Sequence, residues 1–266
     1  MIWVTSGTTS LFYFIVLLGS SVFFSSCSSS RVVAVLPQVL AIYQDPVGQL
    51  YEQYSNGQLH KRDVPTDTTY VYYDNLLGRI DWVDAANPFR PLLYFEDFQI
   101  IVLLDRTLNE LARLDLREVP QIEQAGPVAR GLDDEIWVFD KSSFRLRLLD
   151  ERGQQRLESD DLRRSLGIRS APVNIFARRS WVVAWWPERG LARFSNVGQF
   201  LEWVELPKFD QWTWQGQGLL GWQLEEGQRV GPIWLWEGDR IQEVECPTDW
   251  VQPQGILLVG DDCRTW

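Results

Sequence analysis

Residues 145–157 read RLRLLDERGQQRL: a short apolar run, a polar turn centred on Asp150 and Gly153, then a second short run. The same phrase returns at residues 103–114 (LLDRTLNELARL) and 193–204 (RFSNVGQFLEWV), with weaker copies at 54–59 (YSNGQL) and 236–244 (WEGDRIQEV). Apolar runs of strand length joined by Asn/Asp/Gly-rich turns signal β-hairpins, because those residues tolerate the backbone angles that a tight turn imposes. Aligned on the residue before each turn (Tyr54, Leu104, Leu149, Phe194 and Trp236), the copies recur at intervals of 50, 45, 45 and 42 residues. A recurrence near 45 residues in strand-rich sequence is the period of propeller blades. The fold class read from it is all-β: a β-propeller of five to six blades, each of about four antiparallel strands, its ring closed by N- and C-terminal strands.

Outward from that phrase the strands fall into groups. The second blade is expected at 79–83, 92–95, 99–104 and 108–114, and the third at 127–130, 135–139, 145–149 and 154–157. The fourth is expected at 173–176, 181–185, 191–194 and 199–204, and the fifth at 211–214, 219–224, 232–236 and 240–244. Ahead of them lie strands from Ala41, at 49–54, 58–64 and 68–73, with turns at 45–48 and Asn56-Gly57. One window, 159–166 (SDDLRRSL), reads as helix. Ser159 is its predicted cap, with Asp160 and Asp161 in the first turn, where carboxylates favour the positive end of the helix dipole. The tail beyond Cys246 holds one more strand, 255–259, and strands from the two chain ends are expected to pair and remove the open edges.

Composition narrows the function classes. A hydrophobic fraction of 45%, with 13 Phe, 14 Trp and 8 Tyr in 266 residues, supports a packed, strand-rich body. The net charge of −11 argues against nucleic acid, whose phosphates are held by Lys and Arg, and against docking on anionic lipid by charge alone. The chain has one histidine, His60, so chemistry that needs paired histidines, including most zinc sites and Ser-His-Asp catalysis, is nearly excluded. No phosphate-binding loop, dinucleotide glycine cluster, HExxH, serine elbow or EF-hand loop is present, and no cofactor or metal is expected.

Residues 1–30 carry no charge, and within them 11–18 (LFYFIVLL) is an apolar run followed by small residues. That describes an export signal, and the run is too short to span a bilayer. The segment FFSSC, followed by SSS, resembles the lipobox of bacterial lipoproteins, with Phe24 at the usual aliphatic position and Ser25 and Ser26 as the small residues. The resemblance implies acylation (palmitate or a similar chain) at Cys27, which makes a stable anchor when more than one chain inserts. An ordinary cleaved signal and an uncleaved anchor are the two alternatives. The expected organisation is 1–26 signal peptide, 27–36 lipidated cysteine and tether, and 37–266 propeller. Cys246 and Cys263 then remain for a disulfide, worth about 3 kcal/mol in the entropic account, or stay as two free thiols.

Two further sets of residues are candidates for chemistry. Trp185, Trp186, Trp212 and Trp214 crowd the last two blades and are possible ligand-binding aromatics, although tryptophan on strands is more often packed between blades. Adjacent strand residues face opposite ways, so Trp185 and Trp186 must look into different layers. Asp81, Asp84, Asp97 and Asp210 sit near expected strand ends, where two carboxylates converging on the axis would suit glycoside hydrolysis. The acid pairs Asp133-Asp134, Asp160-Asp161, Glu225-Glu226 and Asp261-Asp262 fit turns and helix starts better than calcium loops. As a whole the chain resembles bacterial envelope lipoproteins carrying a propeller of the NHL/YVTN/WD40-like kind. This resemblance implies a non-enzymatic scaffold that binds another envelope protein, held by its lipid at the outer membrane of a Gram-negative cell. A glycan-binding, lectin-like propeller is the alternative, and a glycosidase-type hydrolase a third reading.

Overall fold

The computed structural model describes residues 37–63, 66–178, 180–207, 209–215, 218–226, 228–237 and 240–244. All of them belong to the compact unit Pro37–Trp266. Twenty strands form five sheets, each an antiparallel meander of four consecutive strands. The first sheet is β1 (Val39–Gln44), β2 (Leu50–Tyr54), β3 (Leu59–Asp63) and β4 (Thr68–Tyr72). The second is β5 (Trp82–Asp84), β6 (Leu92–Phe95), β7 (Ile100–Leu104) and β8 (Glu110–Asp115). The third is β9 (Ala125–Arg130), β10 (Ile136–Asp140), β11 (Arg145–Leu149) and β12 (Gln155–Glu158). The fourth is β13 (Asn174–Ala177), β14 (Trp181–Trp186), β15 (Gly190–Ser195) and β16 (Phe200–Val204). The fifth is β17 (Gln211–Gln215), β18 (Gly218–Glu225), β19 (Gln228–Glu237) and β20 (Arg240–Val244).

The middle strands of the second and third sheets are buried almost throughout, whereas residues of β4, β8, β12 and β16 are mostly exposed or half-buried. That pattern is radial: the fourth strand of each sheet lies on the rim. Burial on both faces also explains why the middle strands read as unbroken apolar runs. On β6, Leu93 and Phe95 pack with Tyr51 and Leu59 of the first sheet, while Leu92 and Tyr94 pack with Val128 and Val138 of the third. The next layer joins Trp137, Phe139 and Leu148 of the third sheet to Ile175, Val182 and Phe194 of the fourth. Each such buried side chain stabilises by about 1.5–3 kcal/mol, so the layers between sheets hold the fold. The backbones of β1 and β17 approach within 8 Å, which makes the first and last sheets neighbours and closes a ring. The chain is a five-bladed β-propeller.

The repeated phrase has a chemical basis. In the β7–β8 turn the Asp105 carboxylate accepts from the N–H groups of Thr107 (2.7 Å) and Asn109 (2.9 Å), and the Asp105 carbonyl accepts from Leu108 N–H. Asp150 does the same between β11 and β12, accepting from Arg152 and Gln154 (both 2.9 Å), and Asp45 between β1 and β2, accepting from Val47 and Gln49. Ser195 takes the role with its hydroxyl between β15 and β16. Such side-chain caps replace strand ladder bonds where the chain reverses. Gly57 shows why the next turn needs glycine: its φ is +86°, and a Cβ there would meet the Gly78 carbonyl at 2.5 Å.

Three expectations change. The 54–59 copy joins the second and third strands of its blade, not the third and fourth as the other copies do. Its backbone bonds start one residue earlier, at Tyr54, and its side-chain cap comes from Asn56 rather than from an Asp or Ser at the first position. The α-helix α1 is Leu162–Leu166, and its cap is Asp161, whose side chain accepts from Arg163 N–H. Ser159 is buried instead, accepting from Leu146 N–H at 2.9 Å at the end of β12. Each blade takes its strands consecutively, so no described sheet mixes the two chain ends. The expected strand 255–259 and Cys27, Cys246 and Cys263 lie outside the described residues.

Candidate functional site

The inner strands β1, β5 and β13 point aromatic rings at one another. Trp82 meets Phe176 edge-on at 5.3 Å, and Tyr43 meets Trp82 at 6.4 Å. Blades two and four are separated by blade three, so the Trp82–Phe176 contact crosses the axis. Phe176 is 3% exposed, and the Tyr43 hydroxyl donates to Gln53 Oε1 at 2.9 Å. Burial pushes the Tyr43 phenol well above its ordinary value. Among the described residues, aromatic rings from three blades therefore meet across the axis at this level.

The candidate carboxylates are dispersed. Asp84 is buried, accepts from Ala86 N–H and, at 2.9 Å, from Arg130 N–H, and acts by charge on Arg178. Asp81, at the other end of β5, accepts from Glu96 N–H on an exposed turn that also holds Asp97. Asp210 stands before β17, in the fifth blade. Asp84 thus ends its inner strand, Asp81 and Asp210 precede theirs, and Asp97 lies on the β6–β7 turn. Asp133 and Asp134 take successive positive φ values of 46° and 68°, Asp161 caps α1, and Glu226 turns at 51°, each a structural role.

The tryptophan pair divides as strand geometry requires. Trp186 is fully buried, donates from Nε1 to the Ser170 carbonyl at 2.9 Å, and packs edge-on against Phe139 and Trp203. It has no face for a ligand, which corrects its candidacy. Trp185 is half-buried on the opposite side, lining a small apolar cavity with Leu206, Phe209 and Trp236. The side chains of Trp212 and Trp214 lie outside the described residues. His60, on β3, stacks on Tyr54 with ring centres 4.5 Å apart and lies 3.1 Å from Gln58 Oε1.

Two charged clusters emerge that sequence position did not mark. Between blades two and three, Arg90 pairs with Asp134 (2.5 Å) and Glu151 (2.7 Å), and Arg130 pairs with Asp134 and with Glu151 (3.1 Å). The Arg130 side chain is 2% exposed, and its Nε and Nη1 have no acceptor among the described residues. The cluster clamps two blades. Between blades one and two, a groove of about 300 Å³ opens on the face that carries the β1–β2 and β7–β8 turns. Its floor is Lys61, 4% exposed, whose Nζ donates to the Arg106 carbonyl at 3.1 Å and sits 5.1 Å from the centre of the Tyr51 ring. Burial pushes the Lys61 ammonium below the ordinary lysine value, Asp45 and Asp63 pull it back, and Arg106 adds to the fall. Exposed Val47 and Phe89 form the lips, and exposed Arg106 stands at the mouth. The available signal was compositional: only three of 25 basic residues are lysine, and one is placed where a point charge is buried.

No protein-family model matches the chain, and no curated protein matches it in sequence. Solved structures do match in fold. A streptogramin B lyase is 14% identical, with 80% of this chain and 69% of that chain aligned and a TM-score of 0.53. A catalytically inactive histidine-to-alanine variant of virginiamycin B lyase from Staphylococcus aureus, with quinupristin, is 12% identical over 80% and 71% of the two chains, at a TM-score of 0.53. The WD40 repeats of RRP9 are 8% identical over 80% and 67%, at a TM-score of 0.52. At such identities the shared property is the propeller itself, on which both binding modules and enzymes are built.

Proposed function

We propose that this chain is a non-enzymatic propeller that binds another protein of the bacterial cell envelope and is tethered to the membrane through Cys27. The observation that carries the reading is the aromatic contact across the axis, where Tyr43, Trp82 and Phe176 meet, beside an open groove on the turn face. A rim presenting loops from several blades is a surface for macromolecules rather than a chamber for a reaction. The matched lyase loses activity with one histidine, and the one histidine here is engaged with Tyr54 and Gln58 on β3. The match to WD40 repeats, an architecture the binding reading shares, also supports it. The glycan reading needs open tryptophan faces, and Trp186 offers none.

Two experiments test this. In a Gram-negative host the full chain partitions with membranes and Cys27→Ala moves to the soluble periplasmic fraction. Equal retention of both in the membrane would remove the lipid anchor from the account. Full chain immobilised through its C-terminus retains an envelope protein in near-stoichiometric amount and no glycan from an array. Glycan retention without protein would replace the reading with the lectin alternative.

A further inference from the structure

We propose that the groove between the first and second blades binds a carboxylate on a partner segment that carries an apolar side chain beside it. The inference rests on the protein-binding reading and names the chemistry of the bound segment.

The groove holds two cations with unused hydrogen-bonding capacity. An ammonium has three N–H donors, and Lys61 spends one on the Arg106 carbonyl; its other contact is the Tyr51 ring. The Arg106 guanidinium makes no hydrogen bond or ion pair among the described residues, unlike Arg62, Arg113 and Arg117 on the same propeller. Three neighbouring acids, Asp45, Asp63 and Asp105, act on Lys61 by charge and also accept hydrogen bonds of their own. Asp63 accepts from the Thr66 hydroxyl at 2.7 Å, and the Asp45 and Asp105 carboxylates accept N–H groups of their own turns. An incoming carboxylate can therefore take two donors from Lys61 and a parallel pair from Arg106, the charge-assisted geometry that is strongest away from bulk water. A cation would meet both positive groups; Gln49 Oε1, buried in the lining and without a partner among the described residues, is a neutral acceptor and weaker than a charge-assisted pair.

The lips supply the second requirement. Val47, from the first blade, is 62% exposed, and Phe89, from the second, is 65% exposed, with Pro88 beside it. Exposed apolar groups flanking a buried charge suit an acidic residue next to a hydrophobic one, because the apolar contact excludes water from the ion pair. Nucleic acid would bring phosphates to the same cations, but a chain of net charge −11 opposes a polyanion.

The test is selection of a displayed random dodecapeptide library on the immobilised full chain, repeated on Lys61→Met and Arg106→Ala. Met keeps the buried stem without the charge, and near-UV circular dichroism checks that its core is native. Arg106 is exposed, so its replacement leaves the fold intact. The expected result is enrichment of peptides with Asp or Glu beside an apolar residue, weakened about tenfold or more by either variant and by an acid-to-amide change in the peptide. Enriched peptides without an acid, or binding unchanged in both variants, would overturn the groove while leaving protein binding in place. No enrichment on any form would count against both.

Discussion

Asp105 shows how one carboxylate sets a turn. Burial works to raise its pKa, but the Asn109 N–H, the Thr107 hydroxyl and the Asn109 amide outweigh that and hold it at about 2. The folded value lies below the ordinary 3.8, so the stabilising share is complete above 3.8 and is lost as pH falls through about 2. Asp105→Ala removes two backbone acceptor bonds and is expected to cost about 1–2 kcal/mol at pH 7, read from the urea midpoint. Asp105→Asn keeps an acceptor, should cost less, and should flatten the acid limb of the stability curve; an unchanged limb would mean that another carboxylate governs it. Leu108, three residues on, has φ of +62° yet is 3% exposed and packed in the layer between blades one and two. Leu108→Gly relieves about 1 kcal/mol of strain and loses about 2–3 kcal/mol of burial, so net destabilisation is expected in the same assay. Asp, Asn and Gly at these turns were legible in the sequence. Leu108, Gln99 and Phe144 were not, because a positive φ on a bulky residue is set by what its side chain packs against and leaves no local mark.

Strand positions on blades two to four follow the sequence reading to within a few residues, because the middle strands are apolar on both faces and end at Asx-type turns. What failed was relational. The 54–59 turn repeats the backbone bonds of its distant copies one residue earlier, without their Asp or Ser cap, and joins a different pair of strands; the cap of α1 moved from Ser159 to Asp161 because Ser159 closes β12. The clamp between blades two and three was hidden for the same reason: Arg90, Arg130, Asp134 and Glu151 come from three separate turns. Arg130→Met is expected to cost about 1–3 kcal/mol, less than a fully buried pair would, since both acids are about a third exposed and keep Arg90. Adding Glu151→Gln to Arg130→Met should cost less than the two single effects summed. Additivity in urea denaturation would show that the clamp does not act as one unit.

The ring itself was visible only as a period near 45 residues, which fixes a repeated unit but not which blades meet across the axis. That arrangement depends on rings 94 residues apart, Trp82 and Phe176, whose encounter no local pattern announces. It also bears on the proposed reading, because an aromatic contact across the axis favours a surface over a chamber. At this scale the groove cations Lys61 and Arg106 belong to different blades, and sequence could offer only the rarity of lysine as a hint. The most direct test is a double-mutant cycle on Trp82→Leu and Phe176→Leu, measured by urea unfolding of the full chain. Blades two and four touching through these rings predicts a coupling of about 0.5–1.5 kcal/mol, the range for edge-on aromatic pairs. Strict additivity of the two substitutions would contradict the closed ring, with aromatic contact across its axis, on which the account rests.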